Sequence, residues 1–171
     1  ETGAGSGKLA LDLMRELERL GVLPQRYFIL ELSADLRQRQ QQRIGREAAH
    51  LLGRFAWLDA LPDTFTGLVL GNEVLDAMPA GLITWRAGAI SERGVTLQDG
   101  RLAWAERALT QGSLLEQARA LPPAQFVSGE ATYTSEINLA AQGFIRSLGQ
   151  MLERGAIIML DYGFGQSEYY H

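Results

Sequence analysis

Two carboxylates and an amide stand close together in the stretch Gly71-Asn72-Glu73-Val74-Leu75-Asp76-Ala77-Met78-Pro79. The stretch directly follows an apolar run, Gly67 to Gly71, that reads as a buried strand. Glu73 and Asp76 are three residues apart, so one helical turn would place both on the same side. Two carboxylates and an amide gathered in a cleft suit a cationic, donor-rich partner such as a guanidinium, which a carboxylate can grip with two parallel hydrogen bonds. In isolation the same residues could equally be a solvated turn, with Asp76 as a cap. A second group of this kind, Asp161-Tyr162-Gly163-Phe164-Gly165, follows another apolar run, Ala156 to Leu160. In open α/β sheets ligands sit outside the carboxyl ends of the strands, which is where both groups fall. Glu136, expected near the start of a long helix, could point the same way or simply complement the helix dipole.

A glycine-rich loop would complete such a cleft. The chain opens on Glu1-Thr2-Gly3-Ala4-Gly5-Ser6-Gly7. A glycine loop leading into a helix puts backbone N–H groups and a positive helix end at one spot, and nucleotide-like ligands use that spot. A P-loop is excluded, because Thr2 and Leu9 occupy two of the four anchor positions of G-x-x-x-x-G-K-[ST]. A dinucleotide loop is matched formally by Gly5, Gly7 and Ala10, with Glu31 at the end of the next strand, where a carboxylate can bind a ribose diol. The whole run E-x-G-x-G-x-G resembles the first motif of class I S-adenosylmethionine (SAM) methyltransferases. There the loop curves round the methionine part of the cofactor, and an acidic residue after the second strand holds the ribose, a place Glu31 would also fill. A tight strand-to-helix turn without a ligand is the remaining alternative.

The elements that must position these residues can be traced by periodicity. Leu9, Leu13, Leu17 and Leu20 recur at helical spacing, and Gly21 with Pro24 beyond it ends that helix. Tyr27 to Leu30 reads as a buried strand. The glutamine-rich segment Asp35 to Leu52 reads as one helix, with Leu36, Ile44, Ala48 and Leu51 on a face and Gly53 at its close. Trp57-Leu58-Asp59 would follow a short third strand and could flank an adenine. Residues 82–108 break the rhythm with alternating stretches, and Asp99-Gly100 is a hairpin signal, which predicts an antiparallel insertion. Ser113-Leu114-Leu115-Glu116 matches a capping box ahead of a short helix that Pro122-Pro123 stops. Ser135 to Arg154 reads as a long helix with Gly155 past its end. Helices alternating with continuously apolar strands predict an α/β fold with a mostly parallel sheet. Residues 1–171 are read as a single domain. It is expected to be the middle of a longer protein, since such glycine loops normally follow a buried strand and Tyr169-Tyr170-His171 closes no element.

Composition removes several classes. The chain has 171 residues and no cysteine, so disulfides, zinc fingers, iron–sulfur ligation and cysteine nucleophiles are excluded together. Two histidines, His50 and His171, are too few for a histidine-built metal site, and no metal is expected. Neither histidine is suitably placed for an α/β-hydrolase triad, and no G-x-S-x-G occurs. A formal charge of −4 is a poor match to phosphate-driven nucleic-acid binding. No apolar run approaches the ~20 residues needed to span a bilayer.

Taken in order, these motifs resemble the MidA-like family of SAM-dependent methyltransferases. The resemblance rests on E-x-G-x-G-x-G; on Glu31-Leu32-Ser33-Ala34-Asp35-Leu36-Arg37-x-x-Gln40; on Asn72-Glu73-x-x-Asp76-Ala77-x-Pro79; on Ser135-Glu136-Ile137-Asn138; and on Asp161-Tyr162-Gly163-Phe164 with Glu168-Tyr169-Tyr170-His171. It covers nearly the whole chain, and its N-E-x-x-D-A-x-P and D-Y-G-F elements are the specific ones. The tail Gly165-Gln166-Ser167-Glu168 departs from the Pro-Arg-like residues expected after D-Y-G-F. The resemblance implies a Rossmann-like class I methyltransferase fold, SAM as cofactor and a protein substrate. Mitochondrial members assist respiratory complex I assembly and are associated with methylating an arginine of one subunit. Glu1, Gly3, Gly5 and Gly7 would line the methionine part of SAM and Glu31 its ribose, with Leu58 and Asp59 near the adenine. Asn72 and Glu73 would stand near the methyl group. Glu73 and Asp76 are the expected catalytic pair, and Glu136, Asp161 and Tyr162 further substrate contacts. A cytoplasmic bacterial setting, or the mitochondrial matrix in a eukaryote, is implied. The alternatives are a non-catalytic assembly factor of the same fold and an NAD-dependent oxidoreductase. The second lacks an evident proton-transfer histidine or Tyr-x-x-x-Lys, Lys8 being the only lysine.

Overall fold

The computed structural model of the protein describes residues 1–123 and 131–170. The chain divides into two compact units, one of Glu1–Ala77 with Ile145–Tyr162 and the other of Met78–Phe144 with Gly163–His171.

The first unit is built on a parallel sheet. Strand β1 (Tyr27–Leu30) pairs in parallel with β2 (Phe55–Leu58). Strand β3 (Phe65–Asn72) pairs in parallel with β8 (Leu152–Leu160). The two pairs are joined through the start of the chain, where Thr2 bridges Leu30 on one side and Gly71 on the other, both in parallel. Backbone bonds from Thr2 N to Leu70 O (2.8 Å), Gly3 N to Leu30 O (3.0 Å) and Leu30 N to Glu1 O (2.9 Å) seat this segment as a fifth strand. The order across the sheet is β2, β1, the Glu1–Gly3 segment, β3, β8. Numbered along the chain this is 3-2-1-4-5, and the direction of travel reverses between the first segment and β3.

Helix α1 (Lys8–Arg19) buries Ala10, Leu11 and Met14 against Tyr27, Ile29 and Phe55. The buried face is therefore turned from the expected leucine stripe: Leu9 and Leu20 are exposed, and small Ala10 lets the helix approach. Gly21, with φ +72°, ends the helix as expected, its N–H returning to Glu18 O. The segment expected as one helix to Leu52 is two. Helix α2 (Ala34–Glu47) is capped by Ser33, whose hydroxyl accepts from Leu36 N, and a 3-10 helix (Ala49–Arg54) follows. The break falls at Ala48, whose backbone (φ −153°, ψ 60°) lies outside the helical region, and Gly53 lies inside the second piece rather than closing the first.

The second unit carries an antiparallel sheet ordered β6-β5-β4-β7, made from β4 (Gly81–Arg86), β5 (Ala89–Gln98), β6 (Arg101–Ala108) and β7 (Thr132–Ile137). Three of its strands occupy residues 81–108 and its fourth, β7, lies outside them. Asp99-Gly100 and Ala87-Gly88 both have positive φ at two successive residues, the backbone of tight hairpin turns. Ile83 and Trp85 pack with Ala118 of helix α3 (Ser113–Ala120) and Ile137, and the Trp85 indole donates to Ala118 O at 3.1 Å. Helix α3 starts from Gly112, with no side-chain cap, so Ser113 is its first residue and not the cap of a capping box.

The long helix expected from Ser135 to Arg154 is corrected at both ends. Thr132-Tyr133-Thr134-Ser135-Glu136-Ile137 is β7, a run of β-branched and aromatic residues that fits a pleated sheet better than a helix. Helix α4 (Leu139–Met151) begins only after Asn138, whose side-chain oxygen accepts from Ala141 N at 2.8 Å. Leu152 to Gly155 already belong to β8, where Gly155 faces Gly67 across the ladder. A short helix α5 (Gln166–Tyr169) follows, and Tyr169 accepts a bond from Tyr133 OH at its carbonyl. His171 lies outside the described residues. Among the described residues no helix is long and apolar enough to cross a membrane.

Candidate functional site

The reversal point of the parallel sheet opens a cleft of about 580 Å³ between the glycine loop and the end of β3. Glu1, Gly3, Gly5 and Ser6 line it on one side, Asn72 and Glu73 on the other, and Lys8, Leu9 and Asp12 at the N-terminal turn of α1. This is where strand order alone places a ligand.

The three loop glycines do different work. All have positive φ (63°, 52° and 72° for Gly3, Gly5 and Gly7), a region that side chains disfavour. A Cβ at Gly5 would meet nothing within 4 Å, so this residue keeps the cleft open. A Cβ at Gly7 would lie 3.0 Å from Cγ of Gln40, so Gly7 lets α2 pack against the loop. At Gly3 it would touch Val74 at 3.3 Å. Glu1 is half-buried, and its carboxylate accepts from Tyr27 OH at 2.7 Å. Burial raises the Glu1 carboxyl above its ordinary range, partly offset by that hydrogen bond. The same burial, with the adjacent Glu1 charge, raises the Tyr27 phenol.

Glu31, at the end of β1, is buried with both oxygens engaged. One accepts from Ser33 N at 3.0 Å and the other from the Gln40 amide at 3.1 Å. A carboxylate has about four acceptor positions, so each oxygen keeps capacity for a further donor. Leu58 closes β2, and its carbonyl accepts from Arg37, which also donates to Glu31 O and pairs with the exposed Asp59 at 2.8 Å. Arg37 thereby ties together the carboxyl ends of β1 and β2.

Beyond β3 the acidic residues converge. Carboxylate oxygens of Glu73, Asp76 and Asp161 all lie within 4.8 Å of one another. Asp161, half-buried at the end of β8, accepts from Leu75 N at 2.9 Å through Oδ2. Its Oδ1 is buried with no partner among the described residues. Glu73 N donates to Leu160 O at 2.8 Å, and Glu73 itself sits in the left-handed region at φ 53°, a conformation that costs a non-glycine residue about 1–3 kcal/mol. Loss of solvent, followed by the charges of Asp76 and Asp161, raises the Glu73 carboxyl above the ordinary carboxylate range. Because Glu73 is an exposed residue, the two neighbouring charges are the cause that the geometry explains. Tyr162, next in the chain, is 88% exposed.

The sequence-predicted residues are not all brought together: Gly7 packs against Gln40, Glu31, Leu58 and Asp59 lie at the ends of β1 and β2, and Tyr162 is exposed after β8, outside the two groups that form. Glu1, Gly3, Gly5, Asn72 and Glu73 share the cleft. Glu73, Asp76 and Asp161 form the acidic group. Glu136 belongs to the second unit, exposed on β7 opposite Leu82 rather than in a first helical turn. Sequence reasoning placed Gln40 in the family motif but gave it no role; it is fully buried and bonded to Gly5 O, Glu31 and Trp57. The signal was available: Gln40 lies four residues before Ile44 and eight before Ala48, on the face that packs inward.

The whole chain, residues 1–171, matches the model of a family described as "Putative S-adenosyl-L-methionine-dependent methyltransferase". The chain belongs to this family. SAM is accordingly its cofactor, and the open Gly5, the pinned Glu31 and the N-terminal turn of α1 are a donor and acceptor set that fits it. Two similar solved structures are COG1565 superfamily members from Burkholderia thailandensis. One, with S-adenosyl-homocysteine bound, is 44% identical with a TM-score of 0.87, covering 99% of this chain and 43% of its own. The other, a native crystal structure, is 43% identical with a TM-score of 0.87, covering 99% and 44%. The chain thus spans less than half the length of these relatives. No curated protein matches it.

Proposed function

We propose that this chain is the cofactor-binding part of a Rossmann-like class I methyltransferase that methylates an arginine side chain of a protein. The strand order 3-2-1-4-5 with a glycine loop at the reversal point supports the fold. The observation that carries the substrate reading is the convergence of Glu73, Asp76 and Asp161 beside the cleft. An uncompensated acidic group next to a methyl-donor site calls for a cation with several N–H donors, and a guanidinium supplies five.

SAM, when bound, supplies a methyl carbon made electrophilic by the sulfonium. The chain's own residues do the rest. Glu1, Gly3 and Gly5 orient the methionine part, Glu31 accepts from the ribose hydroxyls, and Leu58 and Asp59 border the adenine. Asn72 stands at the end of β3 next to the reacting side. Glu73 and Asp76 grip the guanidinium and localise its charge, which makes the opposed nitrogen a better nucleophile. The nitrogen loses a proton as it is methylated, and Glu73, whose carboxyl already holds protons more tightly than usual, is placed to accept it. Asp161 holds the Glu73–Asp76 turn through Leu75 N, and the exposed Tyr162 and Glu136 are offered as further substrate contacts. The MidA-like resemblance points to a respiratory-complex subunit as the protein methylated, in the bacterial cytoplasm or the mitochondrial matrix.

Incubating the full-length protein with methyl-labelled SAM and cell lysate tests this. A labelled protein band that yields methylarginine on hydrolysis is the expected result. Label on another residue type would overturn the arginine reading, and no labelled band would favour an assembly factor that holds its client without chemistry.

A further inference from the structure

Among the described residues, Gln40 is the fully buried polar side chain that touches both the glycine loop and Glu31. Its Nε2 donates to Gly5 O at 2.8 Å and to a Glu31 oxygen at 3.1 Å, and its Oε1 accepts from the Trp57 indole at 2.8 Å. The three partners have fixed polarity: a carbonyl and a carboxylate can only accept, and an indole can only donate. The amide orientation is therefore determined by its surroundings. The stem of Gln40 fills the space that Gly7 leaves. One side chain thus fixes the middle of the glycine loop and the carboxylate assigned to the ribose, using one turn of α2.

We propose that Gln40 is a positioning residue for the cofactor: it holds the Glu31 carboxylate at the distance from the glycine loop that lets one ligand reach both. This rests on the assignment of Glu31 to the ribose. Glutamine is suited to the task because it is neutral. It donates to Glu31 without adding charge, and its second N–H is used up by the Gly5 carbonyl. Glutamate at this position would have the same shape and would keep the Trp57 bond, but it would set a carboxylate against Glu31 and against the Gly5 carbonyl. Methionine would keep the packing and leave the Glu31 oxygen and the indole without their partner.

The test is calorimetric binding of S-adenosyl-homocysteine and of its 2′,3′-dideoxy analogue to the full-length protein, with thermal unfolding of each apo variant alongside. Gln40→Glu and Gln40→Met should each weaken S-adenosyl-homocysteine at least tenfold and the dideoxy analogue by a several-fold smaller factor, because the ribose contact is lost in addition to any effect through the Gly5 carbonyl. A purely structural role for Gln40 would weaken both ligands equally, and that result, or unchanged affinity for both, overturns the proposal. Should both variants fail to fold, Trp57→Phe removes only the donor to Gln40 Oε1 and is read in the same way. Glu31→Ala separates the two levels. If it leaves S-adenosyl-homocysteine affinity unchanged, the ribose assignment itself is wrong. If it weakens binding and the Gln40 variants do not, only the positioning role fails.

Discussion

Asp161 offers a way to separate the architecture of the acidic group from its charge. Its Oδ2 takes the Leu75 N–H at 2.9 Å, which pins the turn carrying Glu73 and Asp76 to the end of β8. Asparagine at 161 keeps an oxygen for that N–H and removes the charge, whereas alanine removes both. Each variant relieves the same repulsion from Glu73, so the difference between them isolates the hydrogen bond. A bond from an N–H to a neutral amide oxygen contributes roughly 0.5–1.5 kcal/mol, and about 1 kcal/mol applies here because Leu75 is half-buried. A chain of this size shifts by about 2–4 °C per kcal/mol, so Asp161→Ala should melt about 2–4 °C below Asp161→Asn. Scanning calorimetry of the ligand-free proteins at neutral pH measures this, and methyl transfer is followed in parallel. Asp161→Asn should melt no lower than the parent protein and yet methylate more slowly, because one of three charges facing the guanidinium is gone. Equal melting temperatures for the two variants would show that the Leu75 bond does not hold the turn. An asparagine variant with full activity would show that the charge is not used.

Three further outcomes follow from the same geometry. The raised Glu73 carboxyl means that the folded state binds its proton more tightly than the unfolded state. Stability contributed by this group is therefore lost as pH rises from the ordinary carboxylate range through the raised value. Glu73→Gln should accordingly be more thermostable than the parent at neutral pH, lose that advantage in acid and fail to methylate while still binding SAM, as unfolding scans and binding measured across pH would show. Gly5→Ala and Gly7→Ala should differ. Each forces alanine into the left-handed region at about 1–2 kcal/mol, but only the Gly7 variant also presses on Gln40, so it should melt lower, while the Gly5 variant, whose Cβ enters the cleft, should lose more SAM affinity. Gly155→Ala should not yield folded protein, as judged by circular dichroism, because its Cβ would lie 1.7 Å from the Gly67 carbonyl oxygen, a backbone atom with no side chain to move aside.

The parts of the fold that could be read from sequence were those where local pattern and tertiary demand agree. Tyr27–Leu30 and Gly67–Gly71 are continuous apolar runs, and both form parallel strands, although Leu68 of the second is 51% exposed where a fully buried strand is expected. Asp99-Gly100 turns because its residue types tolerate positive φ. Apolar residues in a strand and in the helix that follows can share a helical period, which is why Ser135–Arg154 reads as one helix; the decisive residue is Asn138, a cap inside the first turn of the expected helix. The division between α2 and the 3-10 helix left no sequence mark, since Ala48 is a good helix former whose backbone is set by packing. At the site, the acidic residues were legible because they follow strand ends. The role of Gln40 was not, because an amide in a glutamine-rich run looks like any other until its partners from the loop, β1 and β2 are brought around it.

The layout of the first unit also bears on how the chain is made. The Glu1–Gly3 segment and β1–β3 are translated before β8, which pairs with the outer edge of β3 and follows only after residues 78–144 have been added. During that interval β3 presents an unpaired edge with Leu68 and Leu70 on it, the kind of surface that recruits a stray strand. The pairing of Asn72 with Leu160 is among the most sequence-distant in the ladder, and its closure is expected to be late and slow. Chaperone demand during synthesis should therefore peak while the second unit is emerging, and fall when β8 leaves the ribosome.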